Sequence, residues 1–415
     1  MNFLNEVAER YPRAISLAAG RPAEVLFERL SSTDLTNRID LYLAASNTSM
    51  NQLLQYGRTA GVINALMAEQ LCADDGILAT ADRIVVTSGC QEAMSLCLSA
   101  LSHSRKDVIL ACNPTYIGAT GAAAALGISV HGLNTDGDGI PAAIEKAVAE
   151  LHADGRRARA FYVIPNFDNP TGRVLNTKQR VAILEACERH RIVVLEDNAY
   201  GMFRYDGAHV PPLAALDRAG LVIYLSTYSK TLCPAVRIGS AVLPETLFGD
   251  RDARIRLCED IVRRKSYLTV NTGQINQAIV GGHLLQEGGS LRRWIEPVRT
   301  LYHANRDLML TSLQARFCDR GDISWNSPEG GFFLTVDLPF VFDADAVAEC
   351  ANNEGVIVMP MSFFAIDRSQ DCRIRLAFSA IRTERIADGI ESLARYINFR
   401  LHGTAPKLAL RAKST

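Results

Sequence analysis

The chain has 415 residues, 48% hydrophobic and 21% charged, with a formal net charge of −1. That length exceeds one simple core and predicts a large and a smaller domain, while the balanced charge argues against nucleic acid or an anionic membrane as the main partner. No apolar run approaches the ~20 residues of a membrane span, the N-terminus lacks a secretion-signal layout, and ten cysteines without a C-x-x-C pair suggest neither a disulfide framework nor a zinc site, so a reducing cytoplasm fits best.

Residues 1–45 carry only helix-like and turn-like patterns and are expected to pack with the smaller domain. From 46 to 272, short apolar runs alternate with amphipathic stretches. The runs are RIVVT (83–87), DVILA (107–111), 128–133, AFYVI (160–164), IVVL (192–195), LVIYL (221–225) and 238–243. This rhythm predicts an α/β domain on a mostly parallel seven-stranded sheet buried on both faces. Ligands bind such sheets beyond the carboxyl ends of the strands. Residues 273–401 are expected to form the smaller α+β domain, with one long helical stretch over 272–317 and short strands at 331–338, 356–359 and 372–378. Residues 402–415 read as a frayed tail. The acidic stretch 136–139 lacks the remaining ligands of a calcium loop and reads as a turn. No histidine has metal-ligand spacing, and the basic triplet Arg263-Arg264-Lys265 reads as a solvated helix face.

Five runs lead straight into a polar motif. After RIVVT comes Ser88-Gly89-Cys90-Gln91-Glu92 at the start of a helix-like stretch, where free N–H groups and the helix dipole suit a phosphate. Many helices begin with Ser-Gly, so this motif alone is weak. After DVILA, CNPTY ends in Tyr116, which could stack on a planar ring or simply pack. After AFYVI, PNFDNPTG exposes the amide of Asn169, although a plain turn explains it almost as well. After IVVL, EDNAY places Asp197 and Tyr200 at a strand end. An acid there needs a cationic partner, either a structural ion pair or a protonated pyridine nitrogen.

The fifth ending, STYSKTLCPAVR (226–237), holds Thr227, Ser229, Lys230 and Arg237. A lysine in a strand–helix loop is ordinarily a solvated residue, yet this chain has only seven lysines against 37 arginines. An amine in partly desolvated surroundings loses its proton readily, as a Schiff-base nucleophile requires. An amine, an acid, a phenol, an amide, an aromatic face and a phosphate cradle at one sheet edge match pyridoxal 5'-phosphate (PLP). On this reading Lys230 bonds the cofactor, Asp197 keeps its ring nitrogen protonated, Asn169 and Tyr200 hold its phenolic oxygen, and the helix start and Arg237 take the phosphate.

In combination, QYGRTAG (55–61), TSGCQ (87–91), NPTG (169–172), EDNAY (196–200), Ser229-Lys230 with Arg237, and RIRLAF (373–378) resemble the fold-type I PLP-dependent aminotransferases of class I/II. The resemblance is strongest to the 2-aminoadipate and kynurenine branch, and LNEVAERYPRAISLAAGRP (4–22) with QYGRTAG looks similar to hydroxyphenylglycine transaminases. It implies an enzyme that moves an amino group between an α-amino acid and a 2-oxo acid, with Lys230, Asp197 and Tyr200 catalytic. It further implies that Gly89, Cys90, Gln91, Thr227 and Ser229 form the phosphate loop, that Tyr116 stacks on the ring, and that Arg375 grips the substrate carboxylate. Tyr56 would reach the neighbouring subunit's cofactor, making a homodimer. Cys90 stands where the family usually has serine. Arg21, in AGRP (19–22), departs from the family's Gly-Gly-x-Pro and is a candidate for a second acidic or phenolic substrate group, or for a structural ion pair. Met361, before Phe363-Phe364, departs from the family's Pro-Gly.

A PLP enzyme with other Cα chemistry could use the same Lys, Asp and Arg. A PLP-binding regulator domain would carry a helix-turn-helix module of ~70 residues, for which no room is expected ahead of Ala14.

Overall fold

The computed structural model describes residues 6–7, 9–135 and 139–403. Residues 136–138 of the acidic turn and the tail beyond 403 lie outside the described residues. His402, where the tail is expected to begin, is the last residue of helix Ile386–His402, and Gly403 caps it at φ 65°.

A two-residue strand, β1 (Ile15–Ser16), precedes the larger sheet of β2 (Ile84–Thr87), β3 (Asp107–Cys112), β4 (Ser129–Leu133), β5 (Arg157–Val163), β6 (Val193–Asp197), β7 (Val222–Thr227) and β8 (Gly239–Val242). Their order in space is β2-β8-β7-β6-β5-β3-β4. Strands β3 to β7 are parallel, and β8 runs antiparallel to both β7 and β2. Helices cover both faces. Tyr162, Leu195 and Ile223 belong to the core on one side, and Phe161, Val163, Val194 and Val222 to the core on the other. This period of two decides which strand-end side chains share a face. Between strands, helix Thr177–Arg189 begins at a capping box, in which Asn176 and Gln179 satisfy each other's backbone N–H groups.

The smaller unit holds β9 (Ser324–Trp325), β10 (Phe333–Asp337), β11 (Val356–Ile357), β12 (Met359–Pro360) and β13 (Arg373–Ala377). Four of them form an antiparallel sheet in the order β12-β13-β10-β9, while β11 pairs in parallel with β1. The strand expected over 356–359 is therefore split between two sheets.

Three further expectations are corrected. The helix expected over 272–317 is two helices, Gln274–Gln286 and Arg292–Phe317, separated where Gly288 and Gly289 adopt φ 66° and 80°. The first 45 residues do not act as one piece. Leu17 and Ala18 join the small core, whereas Ala23, Leu26 and Tyr42 join the large one. Helix Ser32–Ser46 lies against helix Gln274–Gln286 so closely that a Cβ on Gly282 would overlap the Arg38 backbone. Helix Arg292–Phe317 serves both cores, with Trp294 and Tyr302 in the large one and Leu313 and Phe317 in the small one. Finally, Arg263 is exposed, but Lys265 in the same basic triplet is fully buried.

Candidate active site

Asp197 closes β6 with its side chain on the Leu195 face, and Tyr162 lies on the same face of neighbouring β5. The Tyr162 hydroxyl donates to Asp197 Oδ2 at 2.8 Å, and the Cys90 thiol lies beside the carboxyl. Asp197 Oδ1 is buried without a partner. Burial pushes this acid up to about 6, against the pull of Tyr162, Cys90 and the Lys230 amine. Glu196, one residue earlier, points to the opposite face and accepts the N–H groups of Leu213 and Ala214, both at 2.8 Å.

Lys230 follows β7. Its Nζ donates to the Gly20 carbonyl at 3.0 Å and sits 6.0 Å from the Tyr200 ring centre and 5.9 Å from that of Phe332. Burial, reinforced by the nearby Arg375 charge, lowers the amine to about 8, with Asp197 opposing. A lysine held there is neutral far more often than one in water.

Beside it, Gly89 (φ 80°) caps helix Cys90–Leu101, and a side chain at Gly89 would collide with the Arg237 guanidinium. Arg237 itself takes a left-handed conformation (φ 47°), uncommon for a residue with a Cβ. It donates to Ser229 Oγ at 3.2 Å and to the Ser88 carbonyl at 3.3 Å, while Thr227 Oγ1 accepts the Ser229 N–H at 3.2 Å. Thus Ser88, Gly89, Thr227, Ser229 and Arg237 are brought together. Gln91 belongs to the same helix start, but its side-chain amide donates to the Gly118 carbonyl at 2.8 Å. That bond fixes the turn carrying Tyr116, whose ring leaves no room for a Cβ at Gly118. Burial holds the Tyr116 hydroxyl up near 12.

The small sheet reaches the same edge. Arg375 of β13 donates to Asn169 Oδ1 at 2.6 Å and to the Ala18 carbonyl at 2.7 Å, leaving Nε buried and unpartnered. Its guanidinium carbon lies 4.2 Å from the Phe333 ring centre and 4.8 Å from that of Phe364, two cation–π contacts. Burial lowers its pKa to about 10. Tyr200, beside Asn169, packs edge-on against Phe332 and Phe333. Arg21 is exposed, near enough for its charge to bear on the Lys230 amine, and its carbonyl accepts from Ser379 Oγ at 2.7 Å. Tyr56 stands apart, 82% exposed.

Sequence reasoning missed Tyr162, Phe333 and the carbonyls of Ala18 and Gly20. Tyr162 had a signal, since it is a phenol in the apolar, buried second half of β5. The carbonyls had none.

A family model described as aminotransferase class I and II matches residues 33–393. Among curated relatives, the (S)-3,5-dihydroxyphenylglycine transaminase of Amycolatopsis orientalis is 38% identical over 411 residues, covering 97% of this chain and 92% of that protein. The aromatic-amino-acid aminotransferase 1 of Thermococcus litoralis is 33% identical over 392 residues, covering 92% and 88%. A solved kynurenine aminotransferase of Pyrococcus horikoshii, in complex with PMP, superposes with a TM-score of 0.83 at 28% identity, covering 96% of this chain and 94% of that one.

The unpartnered atoms fit the group that such enzymes use. A protonated ring nitrogen is of the right chemistry for Asp197 Oδ1, and a carboxylate for Arg375 Nε. With a family match over most of its length and a site whose open valences suit pyridoxal phosphate and an amino acid, the chain belongs to the class I and II aminotransferases and is a PLP-dependent transaminase.

Proposed function

We propose that the amino donor is an aromatic, arylglycine-type α-amino acid and the acceptor a 2-oxo acid, as in the making of a non-proteinogenic amino acid. The observation that carries the site reading is Asp197, whose buried and unpartnered Oδ1 faces the same space as a lysine amine lowered to about 8. The aromatic rings of Tyr116, Tyr200, Phe332, Phe333 and Phe364 around that space, together with the aryl substrates named for the relatives, support the donor class.

The bound cofactor supplies an electron sink for the pair released when the substrate Cα–H bond breaks. Lys230 holds it covalently through Nζ and, once freed, accepts the Cα proton at that same atom, a role that needs the neutral amine. The Asp197 carboxylate keeps a proton on the ring nitrogen. Asn169 Nδ2 and the Tyr200 hydroxyl donate to the phenolic oxygen, and Tyr116 stacks on the ring. The N–H groups of Gly89, Cys90 and Gln91, with Thr227, Ser229 and Arg237, hold the phosphate. Arg375 exchanges the Ala18 carbonyl for the substrate carboxylate, with Phe333 and Phe364 keeping the guanidinium plane fixed. Arg21 receives a phenolic or acidic group on the donor side chain.

A second copy of the chain would supply Tyr56. Exposed Leu54, Tyr56, Tyr267 and Leu268 form the contact, and the Gln274 amide, on the helix after Leu268, donates to the Gln55 carbonyl. The boundary expected at 272–273 would instead fall within helix Arg292–Phe317, because Ala278, Leu284, Trp294 and Tyr302 belong to the large core and Leu313 and Phe317 to the small one. Ten unpaired cysteines suit a reducing compartment.

The test is to incubate holoenzyme with 3,5-dihydroxyphenylglycine, tyrosine, kynurenine or 2-aminoadipate in the presence of 2-oxoglutarate. Oxo-acid formation should be fastest from the arylglycine. Preference for 2-aminoadipate overturns the donor class, and carbon dioxide or peroxide release in place of oxo acid overturns the reaction.

A further inference from the structure

Lys265 is an unusual residue to find at 0% exposure, and none of the roles above uses it. It stands in the last turn of helix Arg251–Leu268. Its Nζ lies 3.4 Å from Glu92 Oε2 and 3.5 Å from Oε1, and it donates to Thr269 Oγ1 at 3.1 Å. Thr269 Oγ1 in turn donates to Glu92 Oε1 at 2.7 Å. Burial lowers the lysine pKa while Glu92 holds it up.

Glu92 is the third residue of helix Cys90–Leu101, and its Oε2 accepts the Ser88 N–H at 2.5 Å. The carbonyl of Ser88 is held by Arg237. Ser88, which opens the phosphate loop, is therefore held at its carbonyl by Arg237 and at its N–H by Glu92. An uncompensated carboxylate at that helix start would repel a phosphate dianion placed on the same N–H groups. A buried ammonium against it removes the repulsion and leaves the carboxylate free to act as an acceptor.

We propose that Glu92 and Lys265 are positioning residues of the cofactor site. In this pair Glu92 anchors the Ser88 peptide of the phosphate loop, and Lys265 cancels its charge so that the loop still accepts a dianion. The proposal rests on the phosphate placement given above, and its signature is selectivity for the phosphate rather than for the ring.

The experiment reconstitutes apo-protein with PLP and, separately, with unphosphorylated pyridoxal, reading Kd from the absorbance of the bound chromophore. Lys265→Met should weaken PLP by about tenfold or more and pyridoxal far less, because only the former brings a dianion to the uncompensated Glu92. Glu92→Gln, which keeps an oxygen for the Ser88 N–H, should bind PLP at least as tightly as wild type. The double variant Glu92→Gln, Lys265→Met, neutral and with the acceptor retained, should restore PLP to near the wild-type value.

Equal loss of PLP and pyridoxal in Lys265→Met overturns the proposal, as does wild-type PLP affinity there or weakened PLP binding in Glu92→Gln. Should Lys265→Met not fold, the single Glu92→Gln and the double variant decide the matter, and PLP bound much more weakly than wild type by either is the overturning result. Arg237→Ala separates this inference from the reading beneath it. If Arg237→Ala leaves the preference for PLP over pyridoxal unchanged, the phosphate placement fails; if it removes that preference while Lys265→Met does not alter it, only the role of the pair fails.

Discussion

Removing the hydroxyl of Tyr162 isolates the control of Asp197. Tyr162 and Asp197 are buried on one face of adjacent strands and joined at 2.8 Å, and the change to phenylalanine deletes one oxygen while keeping the ring that packs beneath the site. A hydrogen bond to a charged acceptor contributes about 1.5–3 kcal/mol, and one pH unit corresponds to about 1.4 kcal/mol. The Asp197 pKa, pushed up to about 6 by burial against the pull of Tyr162, should therefore rise by about one to two further units in Tyr162→Phe.

The sign follows from which form each partner prefers. The pair between a ring-nitrogen proton and Asp197 needs the carboxylate, so cofactor affinity should fall as pH drops through the Asp197 pKa. In Tyr162→Phe that fall should begin at higher pH. The cofactor-free protein shows the opposite linkage. Its acid has a folded pKa above the ordinary 3.8, so the protonated form favours folding, and that stability is lost as pH rises from about 4 to about 6. The assay is PLP retention, by absorbance after gel filtration, for wild type and variant across the same pH series. Ionisations of the cofactor itself are common to both, so only the displacement of the midpoint is read. An unmoved midpoint refutes the reasoning, and uniform loss of affinity at every pH assigns Tyr162 to packing instead.

Lys230→Ala should abolish the covalent cofactor band and lower turnover by about a thousandfold or more, checked by absorbance and oxo-acid formation. Arg375→Lys keeps the charge but loses the forked donor geometry and the two ring contacts, so kcat/KM for the amino donor should fall by about 10- to 150-fold while PLP affinity, touched only through Asn169, changes far less. Gly282→Ala places a methyl group into the Arg38 backbone and should destabilise the apo-protein by about 1–3 kcal/mol in urea unfolding, without changing the holoenzyme's preference among donors.

The site was legible where function and burial leave opposite marks on neighbouring residues. Runs such as IVVL and LVIYL are apolar on both faces, and the polar residues that follow them at Asp197 and Lys230 stand out against that background. Pattern alone did not say which of Glu196 and Asp197 faces the site. That depends on the register of β6 with β5, which sets Leu195 opposite Tyr162 and so turns Asp197 toward the phenol. The break at Gly288–Gly289 was marked by two adjacent glycines, yet the helical periodicity on either side masked it. Strand β1 carries no local signal, because two residues become a strand only through pairing with β11 some 340 positions away.

Lys265 shows the limit most plainly. Three consecutive basic residues on a helix cover about 200° of its circumference, so one of them can point inward while its neighbours face solvent. Their side chains are 62%, 34% and 0% exposed in chain order. A charge run says that a helix has a polar surface, and it is silent about the member that turns in. What turns that member into a useful residue is a carboxylate 173 positions earlier at the start of another helix, and no period within either helix refers to the other. Roles that depend on a partner across the fold therefore stay hidden in the sequence even when both residues are charged and conspicuous. By the same logic, the buried ionisable residues left without a local explanation are the ones whose partners should be sought first.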